Sequence, residues 1–290
     1  MALLLAVLSS LCFGVALVTG RVGLRTLDAR SGAAISIPTA TLLFAVAAPF
    51  ALDIEGFSVE AALLFALVGL FFPTIVTLLT FRSNEQLGPT VTGTVSGTAP
   101  LFALLAAGLL LGERVPAQAA IASVAVVLGV GLLSWTRSAA RPGRAGWSLL
   151  WPISGALVRG LAQVGAKAGL LLWPSAFAAG LIGYVVSSAT VIGASRLGRT
   201  ETERPRPTTQ SLVWFTVTGI LNGGAVLLMY AALSMAPVAT VAPVVASYPL
   251  ITALVSAAVL REEALTARMA SGAIITVAAI IYLVASATGV

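Results

Sequence analysis

Arg159 stands in the middle of an otherwise apolar stretch, WSLLWPISGALVRGLAQVGAKAGLLL, twelve residues after Trp147. At 1.5 Å of helical rise per residue it lies roughly 18 Å into the stretch, near the middle of a hydrocarbon layer of about 30 Å. A guanidinium at that depth cannot snorkel out and costs about 2.5 to 3.5 kcal/mol on insertion scales, so it must face a partner or a cavity. Gln163 and Lys167 follow at steps of four, which keeps the three within an arc of roughly 80° on one helix face. Two roles fit this basic stripe. Either it lines an aqueous cavity and holds a carboxylate or other anionic group by charge-assisted hydrogen bonds, or Arg159 satisfies carbonyls freed at Pro152 or another kink while Lys167 snorkels to a surface.

Further polar candidates sit in other apolar runs. Tyr248, Asn222 and Tyr230 each either present a polar group to the same cavity or make an interhelical packing contact. Pro73, Pro100, Pro243 and Pro249 each remove a backbone hydrogen bond inside an apolar run, as gating hinges or as static bends that improve packing. Pro100 and Pro249 predict a kink at one equivalent height in two halves of the chain.

Other chemistries are excluded by what is missing. The chain has no histidine and one cysteine, Cys12, so no disulfide framework, no zinc chemistry and no histidine-based catalysis is expected. Asp28, Asp53, Glu55, Glu60, Glu85, Glu113, Glu201, Glu203, Glu262 and Glu263 all fall in expected loops or at the ends of apolar runs. Proton-driven carriers usually cycle a buried carboxylate or histidine, so facilitated diffusion or exchange is favoured over proton antiport. Serine, threonine and tyrosine without a general base argue against an enzyme, and no cofactor or metal is expected.

The elements that must position these residues follow from composition. Of 290 residues, 59% are hydrophobic and 9% charged, with a mean hydropathy of +1.05. A soluble domain carries about 25% charged residues, so this chain cannot furnish a wetted surface and its partner is the lipid bilayer. The net charge of +6 is spread between apolar runs with no basic-aromatic groove, so nucleic acid is not an expected partner. Apolar runs predict ten spans, 2–24, 32–52, 59–81, 89–111, 116–136, 147–171, 174–195, 211–234, 237–260 and 265–287. The first could instead be a cleaved signal peptide, but it lacks a basic leader and is expected to remain as a span.

An internal repeat organises these spans. GPTVTGTVSGTAPLFALLAAGLLLGERVP, from Gly88, parallels APVATVAPVVASYPLITALVSAAVLREEAL, from Ala236. Pro89 pairs with Pro237 at an offset of 148, and Pro100 with Pro249 and Glu113 with Glu262 at 149. Earlier in each half, Gly23 pairs with Gly165 and Arg25 with Lys167 at 142. The expected architecture is an all-α integral membrane protein of two five-helix units, 1–136 and 147–290, joined by a linker at 137–146. Five is odd, so the second unit enters the membrane in the opposite sense; such inverted repeats are a recurring plan of secondary transporters, with a site near the midplane.

Basic residues give the orientation. Arg21, Arg25, Arg30, Arg82, Arg137, Arg141, Arg144, Arg196, Arg199, Arg204, Arg206, Arg261 and Arg268 lie near odd-numbered loops, while Arg114, with Lys167 nearby, marks the other side. This bias places the odd loops in the cytoplasm and both termini outside, in a cell (inner) membrane. Trp135, Trp147, Trp151, Trp173 and Trp214 near span ends read as interfacial anchors, and Gly93/Gly97, Gly165/Gly169 and Gly219/Gly223 as close-packing pairs.

Some residues carry a family resemblance. They are the duplicated unit, Phe13-Gly14, Pro100 followed by LLLGER at 109–114, Tyr248-Pro249-Leu250, and LREE at 260–263. On these the chain resembles the EamA family of the drug/metabolite transporter superfamily, which often has Trp-Gly at the first position, and within it the YddG-type amino-acid exporters. The resemblance implies ten helices in a basket around a cavity lined mainly by helices 1, 3, 4, 6, 8 and 9, on which Arg159, Gln163, Asn222 and Tyr248 fall. It also implies cytoplasmic termini, against the charge bias above. The expected activity is alternating-access export of small carboxylate-bearing metabolites, amino acids first, by a chain able to act as a monomer. The alternatives are an organic-anion exchanger for a sugar phosphate or nucleotide sugar, and a lipid-linked sugar flippase.

Overall fold

The computed structural model describes residues 1–133, 145–196, 206–259 and 267–288. They form α1 (Ala2–Gly23), α2 (Ala29–Ala51), α3 (Val59–Phe71), α4 (Thr74–Ser96), α5 (Ala99–Leu110), α6 (Ala117–Leu133), α7 (Ala145–Ser148), α8 (Leu150–Leu172), α9 (Ala176–Arg196), α10 (Thr209–Met235), α11 (Val238–Val245), α12 (Tyr248–Val259) and α13 (Ala267–Thr288). No strand occurs among the described residues. Most of the linker read at 137–146, together with Trp135, Arg137, Arg141, Arg144, Arg199, Arg204, Arg261, Glu201, Glu203, Glu262 and Glu263, lies outside them.

Among the described residues, six helical stretches are long and apolar enough to cross a membrane: Ala2–Gly23, Ala29–Ala51, Val59–Leu110, Ala176–Ala194, Thr209–Met235 and Val238–Val259. α8 is as long as these and stays outside the group because Arg159, Gln163 and Lys167 lower its hydropathy. The stretch Val59–Leu110 has 52 residues, far beyond the ~20 of one crossing, and is interrupted three times. Phe72 is extended between α3 and α4, Gly88 takes φ 81° ahead of Pro89, and Gly97–Thr98 separates α4 from α5. Side-chain caps start α2, α3 and α10: Asp28, Ser58 and Thr208 accept from the backbone N–H of Ser31, Ala61 and Ser211.

The expected hinge prolines take different places from those read in the sequence. Pro73 is the N-cap of α4, and Pro100 and Pro249 sit in the first turns of α5 and α12. There a missing N–H costs nothing, because no helical acceptor precedes it. Only Pro243 of the four lies inside a helix, α11. The breaks precede Pro100 and Pro249, at Gly97–Thr98 and Ala246–Ser247.

Small residues set the packing. α1 packs on α10 and α12, α8 on α3, α4 and α5, α2 on α9 and α10, α3 on α9, and α6 on α13. A β-carbon on Gly14 would lie 2.9 Å from the Tyr248 carbonyl oxygen, and one on Gly160 2.9 Å from that of Ala99, so α1 meets α12 and α8 meets α5 backbone to backbone. Gly23 rests on the Phe215 ring and Gly169 on the Phe65 ring, while Gly69 abuts the Gly183 carbonyl and Gly219 that of Ser36. The matching approaches of α1 and α8 are thus made by residues 146 apart, Gly14 with Gly160 and Gly23 with Gly169. This spacing differs by four, one helical turn, from the 142 of Gly23/Gly165 and Arg25/Lys167. Glycines at spacing four leave a sequence alignment free to slip by a turn.

Trp173 also departs from its reading. It is 3% exposed, beneath Phe57 at 5.2 Å between ring centroids and beside Phe65 at 6.2 Å, whereas Trp147 is 83% exposed. A buried indole packs the α8–α9 turn and cannot anchor at an interface.

Candidate functional site

Arg159 projects from α8 into the space between α1, α4, α9, α10 and α12, and is 7% exposed. Its guanidinium carbon lies 5.0 Å from the Phe13 ring centroid, 5.5 Å from that of Phe72 and 5.7 Å from that of Tyr248. Each ring owes its place to a local feature. Phe13 precedes Gly14, which lets α1 approach α12; Tyr248 opens α12; Phe72 is turned inward by the extended joint between α3 and α4.

The ring faces are electron-rich and return up to about 2 kcal/mol to a desolvated cation. They cannot accept its in-plane hydrogen bonds. Nε and Nη1 are buried without a partner, an arrangement that costs about 1 to 3 kcal/mol per orphaned donor. Two further buried polar atoms lack partners nearby: Oη of Tyr184 on α9 and Oε1 of Gln163, one turn along α8 from Arg159.

Two small adjoining hollows meet at Arg159, each a cavity of about 30 Å³. Both are lined by Phe13, Thr80, Phe81 and Asn222; Tyr184, Phe72 and Val76 complete one, and Tyr248 and Leu17 the other. One cation, neutral hydroxyl and amide groups, and aromatic walls suit an anionic group carried on an apolar body.

The structure therefore brings Arg159, Asn222 and Tyr248 together. Gln163 is buried beside them and does not line the hollows. Lys167 is elsewhere: its Nζ donates to the carbonyls of Leu233 at 2.7 Å and Ala236 at 3.1 Å, at the end of α10. Of the prolines, Pro73 lines the cavity, while Pro100, Pro243 and Pro249 do not. Sequence reasoning missed Phe13, Phe72, Phe81 and Tyr184 as lining residues. The nearest signals were Phe13 beside Gly14 and Phe72 beside Pro73, small or rigid residues next to a large ring.

No group of histidine, cysteine and acidic side chains able to hold a metal exists among the described residues.

Fold and site together define a helical, multi-pass membrane protein with a cationic pocket enclosed by its helices. A crystal structure titled only as that of a protein has the same fold: TM-score 0.78, 15% identity, covering 97% of this chain and 95% of the other. No curated protein matches the chain. The family match is decisive: the EamA-like transporter family matches residues 1–135 and 146–285. The chain belongs to the EamA-like transporter family, within the drug/metabolite transporter superfamily.

Proposed function

We propose that the protein is a secondary carrier that moves small carboxylate-bearing metabolites, amino acids first among them, out of the cell by alternating access and without proton coupling. The observation that carries this reading is the buried Arg159 guanidinium with two unpartnered nitrogens facing a cavity. A solute carboxylate would supply the counter-charge and accept from one of the two, since Nε–H and Nη1–H lie on different edges of the guanidinium. Asn222, Tyr248 and Tyr184 would orient the remainder of the solute against Phe13, Phe72 and Phe81, with Gln163 as a polar neighbour behind Arg159. The YddG-type resemblance supports an amino acid as the solute.

Ten membrane crossings in two inverted five-helix units fit the helix pattern. α3 with the start of α4 makes the third crossing, the end of α4 with α5 the fourth, and α11 with α12 the ninth. Under exchange of the units the packing maps onto itself: α1 on α10 becomes α8 on α3 and α4, α2 on α10 becomes α9 on α3, and α1 on α12 becomes α8 on α5. The two stretches matched by the family divide the chain at the same place. The pocket falls on the pseudo-twofold between the units, since Phe13 and Arg159, Phe72 and Asn222, and Val76 and Val226 all line it as exchange partners. With this topology the charge bias places both termini outside the cytoplasm.

The test is uptake into liposomes. Arg159→Gln removes a charge-assisted pair worth about 1.5 to 3 kcal/mol, so affinity for carboxylate solutes is expected to fall by roughly tenfold to a hundredfold. Unchanged affinity for every carboxylate solute in a broad screen would overturn the reading.

A further inference from the structure

Each half of the chain contains a joint where a helical segment stops just before a proline and leaves carbonyls without backbone donors. The backbone breaks at Gly88, with φ 81°, ahead of Pro89, and α10 ends at Met235, with Ala236 extended ahead of Pro237, so the carbonyls of Glu85 and Leu233 are orphans of a helix end. In both places a basic side chain from another helix takes up the orphan. Arg21, in the last turn of α1, donates from Nη1 to the carbonyls of Asn84 at 2.8 Å and Glu85 at 3.2 Å. Lys167, on α8, donates from Nζ to Leu233 at 2.7 Å and Ala236 at 3.1 Å.

Arg21 and Lys167 stand 146 positions apart, the spacing at which α1 and α8 make their matching glycine approaches. Pro89 and Pro237 stand 148 apart. The two clamps are one device built twice. In each, a cation sits on the carbonyl end of a helix, where the macrodipole favours it. At the second joint an anion completes the arrangement, because Glu113 Oε1 accepts from the Val238 N–H, at 3.3 Å, where α11 begins. At the first, the Asn84 side chain adds a tie from Nδ2 to the Leu17 carbonyl of α1 at 2.9 Å.

We propose that Arg21 and Lys167 are paired latches, one near each face of the membrane, and that release of one while the other holds opens the central pocket to a single side. The proposal rests on the alternating-access reading for its purpose, and on the two clamps for its mechanism. Both latches are closed in this structure, in keeping with hollows that are narrow around Arg159. Neither residue touches the solute; each positions the joint at the end of a helical segment, the first part of α4 or α10, that walls the pocket.

The experiment uses the full chain in sealed, uniformly oriented vesicles, with Cys12→Ser and Thr80→Cys giving one reporter thiol in the pocket. A membrane-impermeant maleimide is applied from each side in turn. Lys167→Met should raise the labelling rate about tenfold or more from the side of the α10–α11 joint alone, and Arg21→Gln from the opposite side alone. Charge-keeping Lys167→Arg and Arg21→Lys should restore most of the one-sided protection.

A second arm covers failure to fold. Glu113→Ala leaves Lys167 in place and removes only the acceptor of the Val238 N–H, so it should raise labelling from the side of the α10–α11 joint alone, by less than Lys167→Met. No change in either single variant, equal rises from both sides, or a rise from the opposite side in Glu113→Ala overturns the proposal. Labelling is read without solute, so these outcomes are independent of whether Arg159 binds a carboxylate.

Discussion

A guanidinium placed among three aromatic rings is held in position and left chemically unfinished. The rings of Phe13, Phe72 and Tyr248 steady the charge, and Nε and Nη1 in its plane keep nowhere to bond. Arg159→Lys keeps the charge but loses the planar fork, so it should recover less than a tenth of the affinity lost in Arg159→Gln, measured by solute competition in liposomes. Phe13→Leu removes one ring face and should weaken binding about two- to thirtyfold while transport persists, because an exposed-to-buried cation–π contact is worth about 0.5 to 2 kcal/mol. Arg159 was legible in the sequence because a charge at mid-span has no cheap explanation. Of its cage only Tyr248 was, since Phe13 and Phe72 come from distant parts of the chain and a phenylalanine in an apolar run carries no signal of its own. Lys167 shows the reverse limit. Spacing puts it on the stripe with Arg159, yet its flexible stem reaches the end of α10.

Among the elements, interruption matters more than length. Broken segments bring Phe72 to the site and start α12 at Tyr248, and each break sits at a proline whose cost depends on position. Pro100→Ala should change the melting temperature in detergent little, since a first-turn proline gives up no helical hydrogen bond. Gly14→Val and Gly160→Val should each lower it clearly, by overpacking worth about 1 to 3 kcal/mol or more, because a β-carbon at either place meets a carbonyl oxygen of another helix at 2.9 Å. The sequence marked the prolines and the small-residue pairs correctly as places of interest. It could not separate a kink inside a helix from a fresh start, since both read as proline within an apolar run.

For the whole molecule, apolar runs located α1, α2, α8, α9, α10 and α13 closely but cut through α4 and joined α11 to α12, and the EamA-like resemblance read from Pro100, LLLGER and Tyr248-Pro249-Leu250 matches the family to which it belongs. The repeat register was harder to read, because glycines spaced by four align equally well one turn apart. The proposed orientation is open to direct measurement: a cysteine at Ser58, in the segment between α2 and α3, should react with an impermeant thiol reagent on intact cells, and one at Arg82 should react only after the membrane is opened. The opposite pattern would place the termini in the cytoplasm.

Phe13 and Arg159 each stand one residue before the glycines that make matching approaches, and they face one another at 5.0 Å. Two separate copies of a half-length chain could never build that contact, because whichever residue held the place would confront its own duplicate, ring against ring or charge against like charge. On the proposed two-unit plan, covalent joining of the halves lets one supply the ion and the other its cushion, which leaves the proposed solute anion a single berth.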